Sequence, residues 1–307
     1  MIRSGSHTPG VDSAAWGLPD HTALRIERPA PALRDLFAEY HVLDSDGPAI
    51  DGATSHALPN WPMLRVILAE RPISLTLGPR RYDPLPEAAL YGTTSRAMRV
   101  VSRGGVTIGV GVTPLGWSRL FAAPAEAFRD RVVPLAEVMD AGAVAALVAA
   151  LRRSDRDLAV KGILDGFLAG RLRPPSADDA AIRALEAMVA DEATTDIAGA
   201  AERAGIAPHT LRRLSRRYFG FPPKPLLVRA RFLRALTRMM AEGIDGYDRL
   251  PPGYHDLSHF LRDARRFLGT TPLRFARLSN AFVEAGLRAR AAVRAAGARE
   301  DAAADPS

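Results

Sequence analysis

The sequence predicts an α+β chain: a β-rich N-terminal half with trailing helices, then an all-helical C-terminal half. Three observations carry this. Residues 24–120 hold short apolar runs that alternate with Thr and Gly and are cut by Pro and Gly, the texture of strands and turns. After Pro114 the apolar spacing lengthens to three and four residues, as amphipathic helices require. Residues 195–277 contain two copies of a helix-turn-helix pattern, separated by a helix striped with Leu226, Leu233, Leu236 and Met240.

The length of 307 residues suits two domains, and 47% hydrophobic with 24% charged residues is an ordinary globular composition. The expected organisation is a flexible N-terminal tail at 1–23 and a β-rich domain at 24–172. A linker at 173–177 leads to a helical domain at 178–280, and an Ala/Arg-rich tail occupies 281–307. The formal charge of +7 is uneven, with +2 on residues 1–177, +5 on 178–280 and none on the tail.

With no cysteine the chain has no disulfide, no thiolate nucleophile and no Cys-based metal site, which suits a reducing cytoplasm. The first twenty residues lack the apolar segment of a signal peptide. The longest apolar run, 141–151, falls well short of the roughly 20 residues needed to span a bilayer. The expectation is a soluble cytoplasmic protein with no membrane partner.

In chain order, residues 63–68 and 73–77 read as strands separated by Arg71-Pro72 and closed by Gly78-Pro79. Residues 98–112 read as two strands around Arg103-Gly104-Gly105, a hairpin signal. Val106, Ile108, Val110 and Val112 mark one buried face, and Gly109 and Gly111 leave room for close backbone approach on the other. Short helices are expected at 115–121 and 124–131, and longer ones at 135–153 and 157–172. Arg173-Pro174-Pro175-Ser176 is a linker by composition. A helix at 178–191 then buries Ile182, Leu185, Met188 and Val189.

The first helix-turn-helix copy runs through Asp196-Ile197-Ala198 and Ala204-Gly205-Ile206 to Pro208, which opens a helix ending near Phe219-Gly220. Gly205 can take the positive φ that ends a helix, and Pro208 suits a first helical turn. In that second helix Leu211, Leu214 and Tyr218 point inward, and Arg212, Arg213, Arg216 and Arg217 cover much of the rest. Residues 203–241 hold ten Lys or Arg and no Asp or Glu. A one-signed stripe repels itself unless a polyanion meets it, and a phosphate backbone is such a partner. The chain's 39 Arg and two Lys explain the choice of Arg over Lys but not the missing acids.

Residues 178–280 resemble the DNA-binding domain of AraC-type (AraC/XylS) transcription regulators. The resemblance rests on the residues just quoted, on Leu211-Arg212-Arg213, and above all on the run from Gly253-Tyr254-His255-Asp256 through Leu257-Ser258-His259-Phe260-Leu261-Arg262-Asp263. Phe267-Leu268-Gly269-Thr270-Thr271-Pro272 and Phe275 complete it. More loosely, residues 109–121 and 130–135 are similar to the sensor domains of one subgroup of these regulators. The resemblance implies a bacterial regulator whose two recognition helices enter successive major grooves of promoter DNA, roughly 34 Å apart. Its DNA-contacting residues would be His209, Thr210, Arg212, Arg213, Arg216 and Arg217 in the first motif, and Leu257, Ser258, His259 and Arg262 in the second. His259 has packing beside Phe260 as its other reading, and Arg231 and Arg234 are expected to be structural or phosphate-contacting. Because Arg pairs bidentately with guanine whereas Leu and Ser discriminate less, the first motif is expected to supply most of the sequence discrimination. RNA polymerase and a small-molecule effector are implied as further partners, acting on a monomer or homodimer without a cofactor.

One segment departs from the pattern. Where family members carry the first helix of the second motif, this chain has Asp245-Gly246-Tyr247-Asp248-Arg249-Leu250-Pro251-Pro252. Two consecutive prolines exclude a helix interior, so that helix is expected to be short or absent. The recognition helix, capped by Asp256 and running over 257–267, is expected to be intact.

No catalytic or metal site is expected. His41, Asp44 and Asp46 have metal-like spacing but lead into a Gly-Pro loop and read as a solvated turn; His56 reads as a strand-edge residue. There is no G-x-S-x-G elbow and no phosphate-binding G-x-x-x-x-G-K-[ST] loop. The alternatives to a regulator are an interaction protein, or a DNA-associated enzyme, with a degenerate helix-turn-helix domain.

Overall fold

The computed structural model describes residues 1–69, 71–242, 253–278 and 281–304. The segment with Pro251 and Pro252, and with it the expected loss of a helix, lies outside them.

Ten strands build the N-terminal half: β1 (Thr22–Glu27), β2 (Phe37–Ser45), β3 (Thr54–Ala57), β4 (Met63–Leu68), β5 (Ser74–Leu77), β6 (Arg80–Tyr82), β7 (Ala88–Tyr91), β8 (Met98–Val101), β9 (Gly105–Val112) and β10 (Val132–Pro134). They form a six-stranded antiparallel sheet in the order β1-β2-β9-β4-β7-β10 and a four-stranded one in the order β3-β8-β5-β6.

Period-two alternation sorts the side chains of the large sheet onto two faces. Val42, Leu64, Val66, Ile108 and Val110 bury one face against α1 (Pro114–Leu120), α2 (Ala141–Arg153) and α3 (Ala159–Ala169), meeting Trp117, Leu147, Leu164 and Phe167. The space left between them is about 10 Å³, scarcely one water molecule. The other face is shared. Met63, Ala89 and Tyr91 pack on Leu75, Leu77 and Met98 of the small sheet, while Leu24, Ile26 and Leu43 pack on Trp16 and a distant helix, α10 (Ala281–Ala304).

The C-terminal half is helical: α4 (Asp179–Ala190), α5 (Ile197–Arg203), α6 (Pro208–Leu214), α7 (Pro223–Glu242), α8 (Leu257–Leu268) and α9 (Pro272–Leu278), with α10 returning to the large sheet. A β-rich N-terminal half followed by helices is the predicted fold class. α7 spans two subcores, Leu226, Leu227 and Ala230 lying in one and Phe232, Ala235, Leu236 and Met240 in the other.

Several expectations are corrected. Gly104 and Gly105 do not close a hairpin: β8 and β9 belong to different sheets, and the turn carries the chain from one to the other. The helix expected over 135–153 is a 3-10 turn at Leu135–Glu137 and then α2, because the Asp140 side chain accepts from the Ala143 N–H and starts a new helix. The helix expected over 124–131 is a 3-10 turn, Ala125–Phe128. His41 is not in a solvated turn. It sits buried in mid-β2, its ring over Gly109, where an added Cβ would lie 2.1 Å from the imidazole. The glycine thus admits a side chain rather than a backbone. Burial, with the Arg65 and Arg290 charges, holds His41 well below the usual imidazole range.

The expected tails are packed. Trp16 is buried, Gly5 bridges to Arg25, and the Ile2 N–H donates to Asp44 at 2.8 Å. α10 lies along β1, with Arg28 paired to Glu300 and Asp301 and Arg290 to Glu39. Among the described residues no helix is long and apolar enough to cross a membrane, and no group of three His, Asp or Glu is placed to hold a metal ion.

Candidate nucleic-acid interface

The first motif folds as its sequence dictates. Asp196 caps α5, accepting from the Ala198 and Gly199 N–H groups at 3.0 and 3.1 Å. Gly205 ends the turn at φ +73°, and Pro208 opens α6. Leu211, Leu214 and Tyr218 are buried. α6 is short, because residues Ser215–Phe219 continue as one π turn before Gly220 ends it at φ +78°.

His209 and Arg212 are exposed on α6 and meet no carboxylate among the described residues; Thr210 is half-buried. The other arginines are engaged. Arg213 donates to both oxygens of Asp178 at 2.7 and 2.6 Å, and the Tyr218 hydroxyl donates to the same carboxylate at 2.8 Å. Arg216 donates to Glu126 at 3.0 Å, and Arg217 to the Ala122 carbonyl at 3.2 Å. Along α7, Arg231 pairs with Asp263, Arg238 with Glu192, and Arg234 donates to the Val189 carbonyl. The acids absent from residues 203–241 are therefore supplied by other elements. Contrary to the expectation of an unmatched one-signed stripe, most arginines of that window have partners inside the chain.

The second motif is braced differently. Asp256 caps α8, accepting from the His259 N–H at 2.7 Å. Phe260 and Phe267 pack on Phe232 of α7, with ring centroids 5.7 and 5.1 Å away. Asp263, on the buried face of α8, is the hub of a polar cluster. It accepts from the Tyr254 hydroxyl at 2.8 Å and from Arg231 at 3.4 Å, and His259 Nε2 lies 3.7 Å away. Arg231 also lies over the Tyr254 ring, 4.7 Å from its centroid. His259 therefore belongs to this cluster, edge-on to Tyr254, and packing is the reading its geometry favours. Leu257 is half-buried against the same core.

Ser258 and Arg262 are exposed. Arg265, not among the residues expected to contact DNA, completes their face at i, i+4 and i+7, a spacing visible in the sequence itself. None of these three side chains meets a carboxylate among the described residues. Exposed Arg274 and Arg277 on α9 likewise have none.

No protein-family model matches the sequence, and no curated protein matches it either. Among solved structures the chain is similar to ToxT from Vibrio cholerae. One ToxT structure, at 1.65 Å resolution, matches with a TM-score of 0.45 and 11% identity over 80% of this chain and 99% of that one. A ToxT complex with (E)-4-(8-methylnaphthalen-1-yl)but-3-enoic acid matches with a TM-score of 0.42 and 10% identity over 74% of this chain and 95% of that one.

The two halves meet along a broad seam. Arg229 of α7 is fully buried there between Trp61 and Phe221, its guanidinium 4.8 and 5.5 Å from the ring centroids, and its Nε donates to the Thr94 carbonyl at 2.9 Å. Burial pushes its guanidinium down to about 9. Glu186 of α4 accepts from the Leu115 N–H at 3.3 Å, and burial pushes its carboxyl up to about 7. The Ala97 N–H donates to the Phe267 carbonyl at 2.8 Å, joining the β7–β8 connection to the end of α8.

Proposed function

We propose that the chain is a sequence-specific duplex-DNA-binding regulator of transcription, of the AraC type, with 24–172 as its regulatory domain and 178–280 as its DNA-binding domain. The single observation that supports this most is the α8 surface. It is a capped helix fixed by a buried polar hub, presenting Ser258, Arg262 and Arg265 without a carboxylate partner among the described residues. Such a helix can lie in a major groove, with Arg262 forked onto guanine O6 and N7 and Ser258 beside it. In the first motif His209, Thr210 and Arg212 offer the corresponding face at the start of α6. Promoter DNA is the partner this reading requires, and RNA polymerase and a small effector are partners it allows.

The relative roles of the two motifs follow from their partners. Arg213 and Arg216 must leave Asp178 and Glu126 to reach a duplex, whereas Arg262 has no carboxylate to leave among the described residues. Arg262 therefore contributes more to discrimination than Arg213 or Arg216, with Arg212 as its counterpart in the first motif. The test is binding of the full chain to a duplex selected from genomic fragments, by fluorescence anisotropy, against a random duplex. Arg262→Ala should cost about 1–3 kcal/mol on the selected duplex and little on the random one. A smaller loss than that of Arg213→Ala would return the leading role to the first motif. Absence of any preference for the selected duplex in the native chain would refute the regulator reading.

A further inference from the structure

Positive charge without a carboxylate partner among the described residues extends from the helical half onto the small sheet. His56 of β3 sets its ring edge-on to Phe275 of α9 at 6.3 Å, and its Nδ1 lies 3.2 Å from the Leu278 carbonyl oxygen. Arg99 stands directly across the β3–β8 ladder from His56, so both side chains leave the sheet on the same face. That face is opposite the one that buries Met98, Leu75 and Leu77. Arg99 is exposed and donates to Thr54 Oγ1 at 3.2 Å. Arg96, also exposed, immediately precedes Ala97, whose N–H is bonded to the end of α8.

Neither Arg96 nor Arg99 meets a carboxylate among the described residues, and the same holds for Arg262 and Arg265 on α8 and Arg274 and Arg277 on α9. Exposed arginines elsewhere are of both kinds: Arg81 pairs with Asp83, Arg103 with Asp51 and Arg183 with Asp35, whereas Arg153 and Arg299 meet no carboxylate among the described residues. What ties the two sets together is the seam itself, His56 beside Arg99 meeting α9 and Ala97 beside Arg96 meeting the end of α8, and exposed guanidinium groups without acids favour a polyanion.

We infer that the small sheet of the N-terminal half is part of the nucleic-acid surface, with Arg96 and Arg99 gripping the phosphate backbone beside the stretch that α8 reads. This rests on duplex binding by α8. Guanidinium forks match phosphate oxygens, and such contacts fix register and orientation without reading bases. The regulatory half then touches the duplex directly, and the footprint extends beyond the two recognition helices on the α8 side.

The experiment is a salt titration of duplex binding by the full chain, on a selected duplex and on a random one. Arg96→Gln/Arg99→Gln should weaken both by about tenfold or more at 0.1 M salt, and should flatten the slope of log K against log salt by about 1–2. Arg153→Gln, which removes an exposed charge from α2, should change affinity less than about twofold. Arg96→Gln alone, at a side chain without a hydrogen bond among the described residues, should flatten the slope by about 1 and keeps the test valid should the double variant unfold. If the Arg96 and Arg99 variants bind with native affinity and slope while Arg262→Ala weakens binding, the small sheet does not touch the duplex and the inference is overturned. If Arg262→Ala also binds as the native chain does, duplex binding by α8 fails and the inference falls with it.

Discussion

Arg213 and Asp178 meet fork to fork, two guanidinium N–H groups donating to the two carboxylate oxygens at 2.7 and 2.6 Å. An arginine whose place in the sequence suits base reading is thus held at the entrance to α4. Its hydrogen bonds, with that of Tyr218, keep the Asp178 carboxyl below its usual range. A carboxyl depressed on folding stabilises the fold above its unfolded value, and the contribution is lost as the pH falls through the folded value. Arg213→Ala should therefore cost about 0.5–1 kcal/mol at pH 7, as for a half-exposed pair, and progressively less below about pH 4. Urea unfolding at the two pH values measures this; a loss independent of pH would assign the effect to packing.

Glu186 gives the opposite pH dependence. Its carboxyl is raised to about 7 by burial against α1. The folded state binds this proton more tightly than the unfolded chain, so ionisation above pH 7 weakens the seam, and protonation between about pH 7 and 4.5 relieves it. Glu186→Gln, which keeps an acceptor for the Leu115 N–H, should stabilise the chain by about 1–3 kcal/mol at pH 8 and be nearly neutral at pH 4.5. Thermal unfolding across that range decides it. Equal effects at both ends would place the carboxylate in contact with solvent.

Arg229 holds a guanidinium fully buried between the two halves. Only its Nε donates to a protein acceptor among the described residues, and two aromatic rings flank the guanidinium. Arg229→Met retains most of the packing and removes the desolvation penalty, so it should be neutral or stabilising by about 1–2 kcal/mol. Arg229→Ala should lose about 3 kcal/mol through the cavity it leaves. Denaturant midpoints of the two variants compare these directly; a methionine variant as unstable as the alanine one would mean the charge itself holds the seam.

Asp263 should be the most sensitive position in α8. Asp263→Ala leaves the Tyr254 hydroxyl and Arg231 without their shared acceptor and should cost about 3–5 kcal/mol. Asp263→Asn keeps an acceptor and should cost about 1–2 kcal/mol. Chemical shifts of the α8 amides report whether the helix loosens. A mild alanine variant with unchanged shifts would show that the aromatic contacts alone hold α8.

The alternation of Val106, Ile108, Val110 and Val112, the Gly205–Pro208 turn and the Asp256 cap were legible because each is a local signal with one structural outcome. The sheet exchange at Gly105 was not, since a turn reads the same whether the next strand pairs back or crosses over. His41 was misplaced because the loop beyond Asp46 dominated its surroundings in the sequence, while the glycine that admits its ring lies on another strand. The arginine stripe of 203–241 misled for a related reason. Charge along a helix is counted among near neighbours, but Asp178, Glu126 and Asp263 approach from elements distant in the chain or outside the counted window.

The packing of α10 on β1 sets an order for biosynthesis. The Arg288 Nε that donates to the Trp16 carbonyl is separated from it by 272 residues. At about 5–20 residues per second, translation leaves an interval on the order of tens of seconds between the emergence of Trp16, Leu24 and Ile26 and that of the helix that covers them. During that interval the nascent sheet shows the cell an oily flank. A chain that ended within the helical half would leave that flank of the sheet uncovered, an apolar surface open to self-association.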